Sequence, residues 1–358
     1  MAIRDIIFNG VLYATTAFYS TMAAITLGIQ YIKYGNAMLA HPPHLRPKVL
    51  DKWKHNFLKI SDIKIHYVEA GNPKNPLMLC VHGFPEFWYS YRFQLDYFKD
   101  KYHIVAIDMR GYGESDKPVG VANYGIDLLV KDLDEIITGL GKEKAFVVAH
   151  DWGAVVAWFL AILKPQKVEK LVILNVPHPR AFQKYLMTTL SQFRRSWYMF
   201  FFVCPYLPEI SLRSFDMRAL VSMFRGSKTG LVHKENFTDE DVEAWKYIFS
   251  MPHGMSGPIN YYRAMMRRFG SPPKDAKTVT PPTLIIWGEK DAALDVRAAE
   301  NSLTYCTQAQ LKRIPDASHW VQQDKPQLVN EYIDKFLAEE ILPFQENQNE
   351  TFEKKSSL

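Results

Sequence analysis

The sequence predicts an α/β architecture, a mostly parallel sheet flanked by helices, and two observations carry that prediction. Short, continuously apolar runs recur at residues 77–81, 104–107, 146–149, 171–174 and 284–287. Such runs suit strands buried on both faces, the condition of parallel strands covered by helices. Helical patterns alternate with them, at residues 87–98, 126–140, 152–163 and 296–303, which is the rhythm of α/β folds. With 358 residues, 47% of them hydrophobic, the chain can bury one large core and an inserted subdomain.

The N-terminus stands apart. Between Asp5 and Lys33, residues 6–32 carry no charge. A helix of that length spans about 40 Å, against a hydrocarbon core of roughly 30 Å. Thr15, Thr16, Ser20, Thr21 and Gln30 dilute its hydrophobicity, and Tyr13, Tyr19 and Tyr31 suit interfacial anchors. The stretch is longer than the apolar core of a signal peptide, and Ala23-Ala24 gives only a weak cleavage pattern. Residues 1–33 are therefore expected to be a retained single-pass anchor, with the endoplasmic reticulum as the expected membrane. Lys33, Arg46, Lys48, Lys52 and Lys54 follow it, against Arg4 before it, which places the rest of the chain on the cytosolic side. Two formal glycosylation triplets, Asn236-Phe237-Thr238 and Asn349-Glu350-Thr351, point the other way.

Residues 34–50 read as an irregular connector, and 51–176 as the first part of the core. Residues 57–60 and 63–68 flank Ser61-Asp62 as an antiparallel hairpin. After Asn175 the alternation breaks. Residues 177–278 are aromatic- and Met-rich with helical periodicity and no strand run, peaking at Trp197-Tyr198-Met199-Phe200-Phe201-Phe202. They are expected to form a helical cap over the sheet's C-terminal edge, where apolar side chains wall a pocket for a lipophilic ligand. Residues 279–344 resume the core, with a strand-like stretch at 310–314 and a closing helix from Pro326. Residues 345–358 are a polar tail, in which Lys354-Lys355 lies one position out of register for a retrieval signal.

Composition excludes several classes of function. A net charge of +5 is small, and Arg194-Arg195 and Arg267-Arg268 are isolated pairs, so nucleic acid is not an expected partner. Cys80, Cys204 and Cys306 are odd in number and far apart, with neither metal spacing nor a disulfide framework. No cofactor and no metal are expected.

The chemistry concentrates in three places. Val147-Val148-Ala149-His150-Asp151-Trp152-Gly153 reads as a strand, a tight turn and a helix start, the frame of a nucleophile elbow with Asp151 at its apex. Ala149 and Gly153 are small because strand and helix pass closely there. A carboxylate makes a poor acyl nucleophile, but it can displace a leaving group from saturated carbon and leave an ester on the enzyme. The bland alternatives are an N-cap for Asp151 and a satisfied core histidine for His150. Asp291 follows a strand, and His319 follows the next; Asp291 is placed to fix the His319 ring, with Glu289 and Asp295 as competitors. Upstream, His82-Gly83-Phe84-Pro85 can aim the Phe84 backbone N–H at the space faced by the Trp152 N–H. Two such donors form an oxyanion hole, worth about 3 kcal/mol each.

The order nucleophile, acid, histidine is that of α/β-hydrolases. The chain resembles the epoxide hydrolases of that fold, particularly those with an N-terminal membrane anchor, from about residue 57 to 337. The resemblance rests on His82-Gly83-Phe84-Pro85-Glu86, Arg110-Gly111-Tyr112-Gly113-Glu114-Ser115, His150-Asp151-Trp152-Gly153, Asp291 and His319-Trp320. It implies Asp151 as nucleophile, His319 as general base, Asp291 as its orienting acid, and two cap tyrosines that grip and protonate the epoxide oxygen. Tyr262, in Asn260-Tyr261-Tyr262-Arg263, and Tyr198 match those tyrosines, with Tyr261 and Tyr206 as fallbacks. Trp152 and Phe84 would also contact the substrate, a lipophilic epoxide, with water as second reactant. The rivals are a haloalkane dehalogenase using the same aspartate and a catalytically silent, membrane-tethered binding protein. An esterase fails at the nucleophile, because Ser115 lies in a loop after a different strand.

Overall fold

The computed structural model describes residues 3–267 and 278–339. The end of the expected cap (268–277), the expected tail (345–358) and the Asn349 triplet lie outside the described residues. Within them one sheet runs β1 (Lys54–Lys59), β2 (Lys64–Ala70), β3 (Leu77–Val81), β4 (His103–Ile107), β5 (Ala145–His150), β6 (Val168–Leu174), β7 (Thr283–Gly288) and β8 (Ala309–Ile314). Their order across the sheet is β1-β2-β4-β3-β5-β6-β7-β8. β1 and β2 form the expected hairpin, with Lys59 opposite Lys64, and β2 joins β4 antiparallel. Every later pairing is parallel.

Burial explains the apolar runs. All five residues of β3 and of β4, and all six of β7, are buried. Val81 pairs with Ile107 on one side and with Ala149 on the other, so β3, β4 and β5 end nearly level. Their following loops therefore converge at one edge, where ligands bind in open α/β sheets.

The helices follow the same physical logic. Helix Ile126–Gly139 buries Leu129, Val130, Leu133, Ile136 and Ile137, one stripe at helical spacing. Full burial of each stabilises the core by roughly 1.5–3 kcal/mol. The chain then turns at Gly141, whose φ of 74° suits glycine. One expectation needs correction: residues 87–98 are not a single helix. They split into a 3₁₀ turn, Trp88–Tyr91, and a helix, Arg92–Phe98. Trp88, Tyr89, Ser90 and Tyr91 are all buried, so their apolar pattern carried no sign of the change in winding.

Between β6 and β7 the described chain forms helices Pro179–Thr188, Leu190–Arg195, Trp197–Phe202, Leu207–Arg225, Asp239–Ser250 and Ser256–Met266, with no strand. Leu207–Arg225 is kinked, with Phe215, Asp216 and Met217 at positive φ. Asp216 is tied there to His44 at 2.8 Å and to Lys246 at 2.6 Å. Many aromatics glue this insertion to the core. Phe224 stacks on Phe237 and meets Trp320 at 4.3 Å, and the Trp245 indole donates to the Pro85 carbonyl at 2.9 Å. The N-terminal helix is Ile3–Tyr34, and it includes a stretch long and apolar enough to cross a membrane.

Candidate active site

Asp151 opens helix Asp151–Leu163 directly after β5, with φ at 46°. A left-handed, non-glycine residue at a strand-to-helix turn is strained, and strain of this kind gathers at functional sites. No side chain caps this helix, so the N-cap reading of Asp151 fails. The small neighbours are required by space. A Cβ on Gly153 would lie 2.2 Å from the Val81 carbonyl oxygen, and one on Gly83 would lie 2.5 Å from Asp151 Oδ1.

The Phe84 backbone N–H donates to Asp151 Oδ1 at 2.6 Å, so one carboxylate oxygen already occupies the expected oxyanion position. The other faces His319, whose Nε2 lies 3.5 Å from Oδ2. On the far side of the ring, His319 Nδ1 pairs with Asp291 Oδ2 at 2.7 Å. Asp291 Oδ1 accepts the Ala293 and Leu294 backbone N–H groups at 2.7 and 2.9 Å. Glu289 instead pairs with Arg313, and Asp295 caps the following helix and pairs with Arg297. The two rival acids are thus committed elsewhere.

Electrostatics couple the three groups. Burial disfavours the charged form of Asp151, but His319, His150 and the Phe84 N–H outweigh it and hold its pKa below the ordinary carboxylate value. Asp291 is lowered in the same way, against burial, by His319, Asn175 and the Leu294 N–H. Burial also opposes charge on His319, yet Asp291 and Asp151 push its pKa up to about 10. These shifts favour a cationic imidazole between two carboxylates at neutral pH.

From the cap, Tyr198 and Tyr262 come together at 5.9 Å between ring centroids, nearly perpendicular. Burial raises both phenols, and the charge of Asp151 raises each further. Tyr262 packs on Trp152 at 5.0 Å, Phe202 at 5.0 Å and Phe84 at 5.4 Å. The Trp152 and Tyr262 rings meet edge to face, at 88° between their planes. Neither fallback tyrosine fits the site. Tyr261 donates its hydroxyl to the Arg110 carbonyl at 2.7 Å, and Tyr206 is 78% exposed.

Other polar residues support the site through contacts that no local sequence pattern marks. His150 is a buried, satisfied histidine, but it also braces the Asp151, His319 and Asp291 cluster. Its Nδ1 meets Glu86 at 2.6 Å and its Nε2 meets the His319 carbonyl at 2.9 Å. Glu86 further accepts Gln322 and Gln323 at 3.0 and 2.9 Å. Asn175, at φ 51°, donates to Asp291 Oδ2 at 2.8 Å and accepts the Gly288 N–H at 2.9 Å. Its only local signal was its place where the strand–helix alternation ends. Ser115 ties the sheet edge, donating to the Asp108 carbonyl and accepting the His66 N–H. Away from the site, His55, His66 and Glu114 lie close enough to share a cation. His55 and His66 already bond each other at 2.9 Å, and Arg46 bonds Glu114, which disfavours a further positive charge.

Residues 76–326 match the family model of the α/β hydrolase fold. Epoxide hydrolase 2 of Caenorhabditis elegans is 45% identical over 324 residues, covering 90% of each chain. Human epoxide hydrolase 4 is 43% identical over 290 residues, 80% of this chain and 79% of that one. Among solved structures, a Bacillus megaterium epoxide hydrolase in complex with an inhibitor superposes with a TM-score of 0.73 at 32% identity, covering 79% of this chain and 100% of its own. With Asp151, His319 and Asp291 in contact beneath a tyrosine-bearing cap, the chain belongs to the α/β-hydrolase family and, within it, to the epoxide hydrolases.

Proposed function

We propose that this protein hydrolyses lipophilic epoxides to vicinal diols through a covalent ester on Asp151. The carrying observation is the split environment of that carboxylate: Oδ1 sits on the Phe84 N–H while Oδ2 faces the His319 ring. Tyr198 and Tyr262 bond the epoxide oxygen, and Asp151 Oδ2 attacks a ring carbon from the opposite side. The carbon–oxygen bond breaks, a phenol proton passes to the leaving oxygen, and a hydroxyalkyl ester remains. With the charge on Asp151 gone, the His319 cation gives up its proton, which restores the phenol; the neutral ring then takes a proton from water, and the hydroxide adds to the ester carbonyl. The Phe84 and Trp152 backbone N–H groups stabilise the oxyanion. Its collapse expels the diol oxygen, which takes the proton of the new carboxyl group, and leaves the carboxylate with one oxygen from solvent beside the cationic His319.

Several features favour an epoxide over a haloalkane. The paired phenols, 5.9 Å apart between ring centroids, suit an oxygen leaving group, and Tyr262 packs edge-on against the Trp152 ring that would face a halide. Phe84, Trp152 and Phe202 give the site an aromatic wall suited to an apolar substrate. Every member of the constellation is in place, which disfavours a silent binding protein. A single turnover in heavy-oxygen water tests the scheme. The label is expected in the side chain at position 151, and label confined to the diol overturns it.

Membrane attachment through residues 6–32, at the endoplasmic reticulum with the catalytic part in the cytosol, belongs to the same proposal. The basic residues after the helix support that side. So does Asn236, whose amide donates to the Asp324 carbonyl at 3.1 Å while its backbone carbonyl accepts Arg92, which leaves it a poor glycan acceptor. A glycosidase-induced shift of the cell-expressed protein would reverse the assignment.

A further inference from the structure

The N-terminal helix does not stand clear of the catalytic part. Leu12 and Leu27 are buried and Thr16, Tyr19, Ser20, Ala23 and Gln30 are half-buried, a single stripe at helical spacing. That stripe runs about 27 Å along the helix. It lies against cap helices Trp197–Phe202 and Leu207–Arg225, with the Tyr19 and Trp197 rings 5.9 Å apart. The opposite stripe is large, apolar and bare: Val11, Phe18, Ile25, Ile29 and Ile32 are each 48% exposed or more. Between helix and cap lies an open groove of about 520 Å³, lined by Ala23 and Leu27 on one side and Trp197, Phe201 and Ala219 on the other. Arg218 also lines it. Its guanidinium lies over the Phe215 ring at 4.4 Å, and it has no ion-pair partner among the described residues.

A helix crossing the bilayer would carry this long contact, and with it Arg218, Ser211, Ser214 and Ser222 of the cap, into hydrocarbon. An arginine there costs at least about 2.5–3.5 kcal/mol. A helix lying in the membrane plane avoids that cost: its bare stripe enters the lipid, its other stripe holds the cap, and the arginine stays at headgroup depth. We propose that the N-terminal helix lies flat as the lipid-facing wall of this groove, and that the groove takes one acyl chain of an anionic phospholipid whose headgroup pairs with Arg218. The volume falls in the range of small-molecule sites, roughly 300–1,000 Å³. This rests on membrane attachment through the helix, and it replaces the single-pass expectation with an in-plane one.

The test uses the full chain in phosphatidylcholine vesicles, with and without phosphatidylserine carrying a photoreactive group in mid-chain. Adducts are expected on the peptides holding Ala23 and Trp197, and Ala219→Trp should cut them about tenfold while flotation and thermal midpoint persist. Arg218→Gln should instead abolish the preference for phosphatidylserine over a photoreactive phosphatidylcholine, an outcome readable even if the bulky variant misfolds. In sealed microsomes, a tag on residue 1 and the catalytic part should both be open to protease. Adducts confined to Phe18, Ile25 and Ile29, or a tag protected while the catalytic part is digested, overturns the proposal. Failure of the protein to float at all would instead sink the membrane attachment on which it rests.

Discussion

Burial alone would protonate Asp151 and neutralise His319; instead each holds the other in its charged form. The consequence is a change of state built into the reaction. In the proposed reaction, alkylation removes the charge on Asp151, and with it one of the two carboxylates that raise His319 to about 10. The imidazole pKa therefore falls once the ester forms, which turns a resting cation into a base for the second step. Alkylation should be flat from neutral pH down to the depressed pKa of Asp151. Ester hydrolysis should rise with pH through a midpoint below 10, so that ester accumulates under acidic conditions. Single-turnover quench measurements of the two steps check this, and a flat hydrolysis limb excludes it. His319→Gln should trap the adduct, visible as a mass increase equal to that of the substrate. Tyr262→Phe should slow alkylation roughly 10²–10⁴-fold, the usual contribution of a general acid. It should leave hydrolysis of any preformed ester nearly unchanged.

At the scale of elements, the site depends on loops that meet because three strands end level. Gly153→Ala tests that contact, since its Cβ would lie 2.2 and 2.4 Å from the carbonyl oxygens of Val81 and His82. The helix cannot yield without moving Asp151, so turnover should collapse with little change in helix content by circular dichroism. Asp108, just past β4, has a wider structural task. It binds His66 at 2.7 Å, the Trp88 N–H at 3.0 Å and the Glu114 N–H at 2.9 Å. Leaving a buried hydrogen-bonding group without its partner typically costs about 1–3 kcal/mol. Asp108→Ala should lower stability by that order in denaturant unfolding. The elements that build the site were largely legible in the sequence. Buried parallel strands must be apolar throughout, so β3 to β7 show themselves as runs, and the elbow declares itself through small residues around Asp151. The supports were not legible. Glu86 reaches His150 across 64 residues and Asn175 reaches Asp291 across 116, and a hydrogen bond between distant segments leaves no local periodicity. Asp291 could be preferred to Glu289 and Asp295 only by its distance after the strand, until their arginine partners were seen. The kink at Phe215 to Met217 was also invisible, because neither glycine nor proline marks it.

At the scale of the whole molecule, the cap serves two neighbours at once. Helix Trp197–Phe202 presents Tyr198 and Phe202 toward Tyr262, and Trp197 and Phe201 toward the N-terminal helix and its groove. A short helix shared in this way ties the seating of the N-terminal helix to the shape of the site. Removing residues 1–33 should release the protein from membranes and also bare Trp197 and Phe201, which the N-terminal helix otherwise flanks. Contiguous apolar surface of that kind promotes association. The truncated protein should therefore bind an apolar fluorescent dye more strongly than the full chain in detergent. Trp197→Gln should reverse much of that increase while the Asp151 half-reaction with a water-soluble epoxide continues. A helix that merely tethers, with no contact to the cap, would give a truncated protein with unchanged dye binding. The dye titration thus separates a helix that belongs to the catalytic unit from one that only holds it to the membrane.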